Sequence, residues 1–365
     1  MSKIVSIATG VPSYRHEQRR IFDFANRIYC KDETESRKMK FLYDHSGIST
    51  RYSVMPDYAS SADERQFYAK TCDLEPFPNL ERRMQWYDDN AVPLSVKTIN
   101  QCIAGRIGSK EITHLITVSC TGMSAPGLDL QIMEEMGLER NIFRTSVNFM
   151  GCYAAVHAIK LGDAICRSTP NANVVIVCCE LCTLHFQKEI SLDNITATLI
   201  FGDGCAAILM QPDEIAGKGI RIENFFSDVA FKGKNDMSWK LSSTGFLMSL
   251  SGYVPDLVKE DFNGFAEKAL INAGIDKTAV THWCMHPGGK KILEAIEKSM
   301  SLPANSLQYS YDVLNDYGNM SSASILFVLQ KILAELQENN TTNATVFGAA
   351  FGPGLSMETF IAAYD

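Results

Sequence analysis

Several features are scarce or missing in this 365-residue chain. No apolar run approaches the roughly 18 residues that a bilayer-spanning helix needs, so a helical membrane span is excluded. Positive charge is outweighed: 34 Lys and Arg face 42 Asp and Glu, for a net charge of −8. An acidic surface of this kind argues against nucleic acid or an anionic membrane as the main partner, since both reward basic patches. No basic segment followed by an apolar stretch opens the chain. Met1-Ser2-Lys3 runs straight into the strand-like Ile4 to Ala8, which points to a cytoplasmic protein. A disulfide rhythm is missing as well. The eleven cysteines are an odd number, and many (Cys178, Cys179, Cys205, Cys284) sit in apolar segments, as reduced thiols do. Cys178-Cys179-Glu180-Leu181-Cys182 ends a strand-like run whose alternate side chains face opposite ways. No second ligand cluster follows at zinc spacing, so no metal is expected there. Asn343-Ala344-Thr345 matches a glycosylation sequon, a chance match in a chain with no export signal.

What is present is ordinary globular composition, 46% hydrophobic and 21% charged, with ample apolar mass for a large core. The length suits two domains, or one built by duplication. The first hundred residues are mixed. RRIFDFANRIYC and PLSVKTINQCIAG read as helices, with a polar, aromatic stretch from Tyr52 to Tyr87 between them. From Thr113 the pattern becomes regular. HLITVSC, RTSVNFM and VVIVCCE read as strands, LDLQIMEEMG and CYAAVHAIKLGDAICR as helices, and TLIFGDGCAAILM as strand, turn and strand. The second half repeats the theme: GFAEKALINAG, KKILEAIEKSM and MSSASILFVLQKILAEL are helical, VTHWCMHPGG is a strand entering a glycine turn, and ATVFGAAFGPGLSMETFIAAY is strand, turn and strand. Such alternation predicts α/β layers.

Two short echoes link the halves. Phe201-Gly202-Asp203-Gly204 matches Phe351-Gly352-Pro353-Gly354, and Met150-Gly151-Cys152 before one helix is matched by Tyr317-Gly318-Asn319 before another. Two echoes in the same order predict a duplicated α/β unit, with Cys152 and Asn319 at related helix starts.

A cysteine attacks as its thiolate, which a helix N-terminus or a neighbouring imidazolium favours. Gly151 permits a sharp turn before the helix that follows Cys152, whose unpaired N–H groups would favour negative sulfur. His286 lies in HPGG, where a strand end delivers side chains to a cleft. Asn319 lies at a helix start, where capping is the default role. Taken together, the three form an acyl-transfer set: a nucleophile, a base and an amide donor for a developing oxyanion. The same order occurs in papain-like proteases, but the mid-chain context F-M-G-C-Y-A-A differs from their C-G-S-C-W, and the chain lacks their disulfide-bearing secreted character.

At these residues the chain resembles a type III polyketide synthase, the chalcone synthase-like branch of the thiolase superfamily. The carriers are Gly151-Cys152 followed by small residues, FGDG at 201–204, HPGG at 286–289, YGNMSSA at 317–323 and FGPG at 351–354. Ketoacyl-carrier-protein synthase III usually shows H-Q-A-N and G-N-T-S instead. The resemblance implies a thiolase-like duplicated α/β fold with a five-layer αβαβα core, an N-terminal half (1–212) carrying the cysteine, a C-terminal half (213–365) carrying the histidine and asparagine, and a homodimer. It implies that an acyl starter loads onto Cys152 from a coenzyme A thioester, with His286 holding the sulfur as thiolate. His286 and Asn319 would then bind the malonyl-CoA thioester oxygen during decarboxylation, and the enolate would attack the Cys152 thioester. Neither a metal nor a redox cofactor is implied; coenzyme A thioesters are substrates. Repetition and cyclisation would give an alkylpyrone, alkylresorcinol or phloroglucinol-type product.

The resemblance also implies substrate-binding residues. Phe201 and Phe246 match gatekeeper phenylalanines between the coenzyme A tunnel and the cavity. Gly352 and Pro353 match a cavity-shaping loop, and Ser321 lies in the asparagine motif. Three positions depart from the plant pattern. His185 replaces a common threonine and narrows the wall or adds a polar group to steer cyclisation. Cys120 replaces another threonine. Ala125 replaces a methionine that reaches into the partner's cavity, and so widens that region. At the tunnel mouth Lys38 matches one of three usual cations, while Phe41 and His45 occupy the other two positions. Fewer cations weaken a phosphate site, which leads to the expectation that an acyl-carrier protein partly delivers the starter. The competing readings are a ketoacyl synthase III-like enzyme performing one condensation and a non-catalytic thiolase-fold binding protein.

Overall fold

The computed structural model describes residues 1–234 and 236–364. Its strands are β1 (Ser2–Gly10), β2 (Tyr14–Glu17), β3 (Thr50–Ser53), β4 (His114–Ser119), β5 (Phe143–Asn148), β6 (Val174–Leu181), β7 (Asp203–Pro212), β8 (Ile220–Val229), β9 (Met237–Ser242), β10 (Gly245–Leu250), β11 (His282–Met285), β12 (Ala344–Gly352) and β13 (Ser356–Tyr364). The helices are α1 (Gln18–Tyr29), α2 (Glu33–Asp44), α3 (Leu80–Ile103), α4 (Leu128–Glu135), α5 (Ala154–Ser168), α6 (Leu192–Ile200), α7 (Val254–Ala273), α8 (Lys290–Met300), α9 (Gln308–Tyr317) and α10 (Ser324–Glu338).

Nine strands form one mixed sheet in the order β11-β12-β13-β8-β1-β7-β6-β4-β5. Two runs within it follow the same rule. In β4-β6-β7-β1 the pairings are parallel, antiparallel, antiparallel. In β11-β12-β13-β8 they are again parallel, antiparallel, antiparallel. Short antiparallel pairing of Ser2–Ile4 with Ile220–Ile222 joins the runs. Helix α5 precedes β6 just as α10 precedes β12, so Cys152 and Asn319 lie before equivalent helices.

Alternation of side chains along the strands builds the layers. One face of the strands (Val118, Ile176 and Ile208; Val346, Phe360 and Ala362) packs on Ala154, Ala155, Ala158 and Ile159 of α5 and on Ile325, Leu329 and Ile332 of α10. The small alanines let α5 lie close to the sheet. The opposite face of the first run (Val175, Val177, Leu209) packs on α1 and α3 through Phe24, Ala91 and Ile99. That of the second run (Phe347, Ala349, Ile361) packs on α7 and α8 through Phe262, Phe265 and Ile296. The layers therefore run helix, sheet, helix, sheet, helix, with α5 and α10 innermost.

Two segments differ from the sequence reading. Thr198 to Ile200 end helix α6 rather than forming a strand; Ser191 starts that helix by accepting from the Asn194 N–H at 3.1 Å. The first half inserts this helix between β6 and β7, whereas FGPG alone joins β12 to β13. FGDG and FGPG still lead into equivalent strands. Helix α3 begins at Leu80, inside the polar, aromatic stretch that the sequence reading placed between helices, because the Asn79 side chain accepts from the Arg82 N–H at 2.9 Å and caps it. Pro93, read as a helix start, sits inside that helix.

Candidate active site

Gly151 and Gly318 turn the chain ahead of the two innermost helices. Both have left-handed backbones, with φ of +94° and +68°, where a β-carbon is strained. Space forbids one too. A β-carbon on Gly151 would lie 2.4 Å from Pro353 Cδ, and one on Gly318 would lie 2.7 Å from the Ile200 carbonyl oxygen. Gly352 is similarly closed off by the Tyr153 ring, 2.2 Å from where its β-carbon would be. The MGCY and FGPG turns are thus fitted against each other.

These turns bring Cys152 and Asn319 together. The Cys152 thiol faces Asn319 Oδ1 at 4.0 Å, and the same oxygen accepts the Ser321 N–H at 2.8 Å. Asn319 Nδ2 donates to the Gly288 carbonyl at 3.3 Å, so the amide connects the cysteine turn to the HPGG turn. The Asn319 backbone is itself fixed: its N–H donates to the Ile200 carbonyl at 2.8 Å and its carbonyl accepts from the Gly202 N–H at 3.0 Å. Arg51, which the sequence reading missed, secures this junction by donating to the Phe201 carbonyl at 2.6 Å and the Thr198 carbonyl at 2.7 Å. Nothing in Thr-Arg-Tyr-Ser, a short strand, marks it locally.

His286 is 2% exposed. Its backbone N–H donates to the Ala349 carbonyl at 2.9 Å, carrying the β11–β12 pairing one residue into HPGG. Neither ring nitrogen has a hydrogen-bond partner among the described residues. A buried polar group left unpaired is costly, and the site tolerates that cost here. Burial pushes the imidazole down to about 3 and the Cys152 thiol up to about 12, the latter eased by the Ser321 and Asn319 side chains and reinforced by nearby Glu180. Each group alone is therefore neutral. Burial thus outweighs the helix start, which on its own favours a thiolate.

Glu180 was another omission. It is fully buried behind Cys120, accepting from the Cys120 N–H and the Thr121 hydroxyl at 2.9 Å each and from the Ser322 hydroxyl. Burial raises its carboxyl to about 7 against these hydrogen bonds. Cys120 Sγ accepts the Gly151 N–H at 2.9 Å, bracing the turn before Cys152.

Cys152, Cys120, Phe201, Ser321 and Pro353 all line one small chamber. Phe201, His185 and Phe246 line a second. His185 has both ring nitrogens committed: Nε2–H donates to the Thr121 carbonyl at 2.7 Å and Nδ1 accepts the Phe246 N–H at 3.1 Å. It narrows the wall but has no polar edge left to steer a substrate. Phe246 is 1% exposed and stacked on His185 at 4.3 Å; it does not face the Cys152 chamber. Ala125 lies on an exposed loop, preceding a cis bond to Pro126, and faces neither chamber. Lys38 is exposed on α2. Beyond it Phe41 is 60% exposed and stacks on His45 at 4.0 Å. Lys290, at the start of α8, reaches the end of this helix: its side chain would lie 3.2 Å from a β-carbon on Gly47. No helix is long and apolar enough to cross a membrane, and no three His, Cys, Asp or Glu side chains are grouped to hold a metal ion among the described residues.

Known proteins share this architecture along its length. PKS-I of the brown alga Ectocarpus siliculosus superposes with a TM-score of 0.92 at 25% identity, over 100% of this chain and 98% of that one. The alpha-pyrone synthesis polyketide synthase-like protein Pks18 of Mycobacterium tuberculosis is 28% identical over 360 residues, 97% of this chain and 89% of its own. Type III polyketide synthase C of Arabidopsis thaliana is 26% identical over 368 residues, 98% of this chain and 94% of its own. The N-terminal domain of chalcone and stilbene synthases matches residues 1–214, and the C-terminal domain matches residues 226–363. With both domains matched in order, the chain belongs to the chalcone and stilbene synthase family.

Proposed function

We propose that this chain is a type III polyketide synthase that works through Cys152, His286 and Asn319. The observation that carries the reading is the meeting of Cys152 and Asn319 at 4.0 Å, at the starts of equivalent helices. His286, two residues from the carbonyl that holds the Asn319 amide, takes the thiol proton as sulfur attacks a starter thioester. The new bond joins Cys152 sulfur to the acyl carbon; the coenzyme A sulfur leaves and is protonated. Malonyl-CoA then loses carbon dioxide. The enolate oxygen is held by an imidazole N–H and by Asn319 Nδ2, which keeps one hydrogen free beyond its bond to Gly288. Pre-placed donors of this kind stabilise charge that appears only during reaction. The enolate carbon attacks the Cys152 thioester, and the sulfur leaves as a thiolate that takes up a proton from water. Cyclisation of the extended chain releases a pyrone, resorcinol or phloroglucinol-type product; the pyrone is favoured by the likeness to Pks18.

In this reading residues 1–212 form the half bearing the nucleophile and 213–365 the half bearing the donors. Lys38 and Lys290 meet the phosphates of a coenzyme A or carrier-protein pantetheine arm. Two copies associate through β5, whose outer edge is unpaired among the described residues and whose Phe143 is 71% exposed; a bare edge of this kind invites pairing. Mass spectrometry of products from malonyl-CoA and a panel of starters tests the function. Several added two-carbon units support it, one unit selects a single-condensation ketosynthase, and no product or acyl-enzyme leaves only a binding protein.

A further inference from the structure

Cations are the minority charge in this chain, yet they gather in one place. Residues 14–31 hold five, Arg15, Arg19, Arg20, Arg27 and Lys31, against two acids, Glu17 and Asp23. That segment carries +3, leaving −11 for the rest of a chain whose total is −8. All five cations are exposed, and none forms an ion pair among the described residues. Helix α2 behaves differently: its Arg37 and Lys40 are paired with Glu33 and Asp44, one turn away. Local structure does not account for the α1 charges. The first turn of α1 holds Arg19 and Arg20 and no acid, and Glu17 gives it no side-chain cap. Cations there oppose the helix dipole, so they weaken the helix that carries them. Ile21, Phe24, Ala25 and Tyr29 face the core, which leaves Arg20 and Arg27, two turns apart, on the outer face. The patch borders the Cys152 side of the molecule. The Gln18 N–H at the start of α1 donates to the Ser49 carbonyl at 2.8 Å, and Gly47, two residues before Ser49, lies against Lys290. Helix α2 packs on α1 through Tyr43 and Phe22, ring centroids 5.4 Å apart, and leaves Phe41 and Leu42 exposed.

We infer that the outer face of β2 and α1, with Arg15, Arg19, Arg20 and Arg27, docks an acidic acyl-carrier protein that delivers the starter to Cys152. The inference rests on Cys152 being the acyl-bearing nucleophile. In the transfer the Cys152 sulfur bonds to the acyl carbon, and the carrier's pantetheine thiol leaves with the proton that the Cys152 thiol gives up. Coenzyme A presents several phosphate groups, whereas the arm of a carrier presents a single one. Lys38 and Lys290 are enough for that one. The unpaired arginines stand beside them, where the body of a carrier rests while its arm reaches inward. Arginine suits the carboxylates of an acidic helix, because its planar fork binds them in pairs of hydrogen bonds. Exposed Phe41 and Leu42 offer apolar contact, which a free anion does not use and a protein does. Charge of this kind on the rim of an interface acts mainly on the rate of association.

The test is single-turnover acylation of Cys152, read by intact-protein mass, from hexanoyl-CoA and from a hexanoyl-loaded acyl-carrier protein. Arg19→Glu combined with Arg20→Glu lowers the rate from the carrier at least about tenfold and changes the rate from coenzyme A less than about twofold. Raising salt from about 50 to about 300 mM slows the carrier reaction of the wild type more than that of the variant, because the screening length shortens. Lys218→Glu, a charge reversal at an exposed lysine elsewhere, leaves both rates alone. An unchanged carrier rate in the double variant, equal losses from the two donors, or a wild type that loads from coenzyme A but not from the carrier overturns the docking face and spares the nucleophile. A wild type that loads Cys152 from neither donor overturns both.

Discussion

Gly151 and Pro353 occupy one contact, with the proline ring standing where a side chain on residue 151 would grow. Gly151→Ala therefore meets both a collision and a left-handed backbone. We expect a loss of stability of about 1–3 kcal/mol and slower acylation of the adjacent Cys152. Adding Pro353→Ala removes the collision but not the backbone strain, so the double variant recovers part of the loss. Urea denaturation of the two single variants and the double variant measures this, and strictly additive losses would show that the contact is not the cause.

Asn319→Ala removes one of two donors proposed for the enolate. Loss of a single such donor costs about 100- to 1000-fold in rate. Malonyl-CoA decarboxylation should drop by that factor while acyl label still reaches Cys152. Near-normal decarboxylation would take Asn319 out of the mechanism.

His286→Ala leaves the thiol with no base to take its proton. The sulfur then follows its surroundings, and burial holds it near 12. Carbamidomethylation of Cys152 by iodoacetamide near neutral pH should slow at least about 100-fold relative to wild type, because only the thiolate reacts. Equal labelling rates in the two proteins would mean that His286 is not the proton acceptor.

Glu180 makes stability depend on pH. Its folded value of about 7 lies above the ordinary 4.5, so the fold prefers the protonated acid. That preference is complete below the unfolded value and fades as pH rises through the folded one. Glu180→Gln can keep the Cys120 and Thr121 donors on its oxygen and offer its amide to Ser322. It should match wild type near about pH 4 and exceed it near about pH 8 by up to roughly 3 kcal/mol. Denaturant midpoints at both pH values decide; a difference of equal size at each would exclude the carboxyl.

Much of this architecture can be read from residues alone. HPGG, YGN and MGC announce sharp turns, and apolar runs between them announce strands and helices, so the layers and the junction of Cys152 with Asn319 were accessible. The charge state of the sulfur was not, because it depends on how completely three-dimensional packing strips water from it. Thr198 to Ile200 look like a strand, yet a capping serine seven residues before Thr198 starts a helix that claims them. Which β10 side chain meets the Cys152 chamber was hidden for a related reason. On a strand, alternate residues face opposite ways; Phe246 and Met248 share a face, and only the stacking of His185 on Phe246 decides which one the chamber meets. Arg51 and Glu180 had no signature at all, since their partners come from other parts of the chain, 33 to 150 residues away.

The placement of α5 and α10 in the middle layer separates what must stay constant from what can change. Residues at the starts of those helices are insulated by a sheet and an outer helical coat on either side, so substitutions accumulating at the periphery scarcely disturb their spacing. The β9–β10 ribbon lies outside that insulation and pairs with no other strand among the described residues. Diversification of substrates in such a scaffold should therefore be written mainly into the ribbon, while the reacting atoms are inherited unaltered.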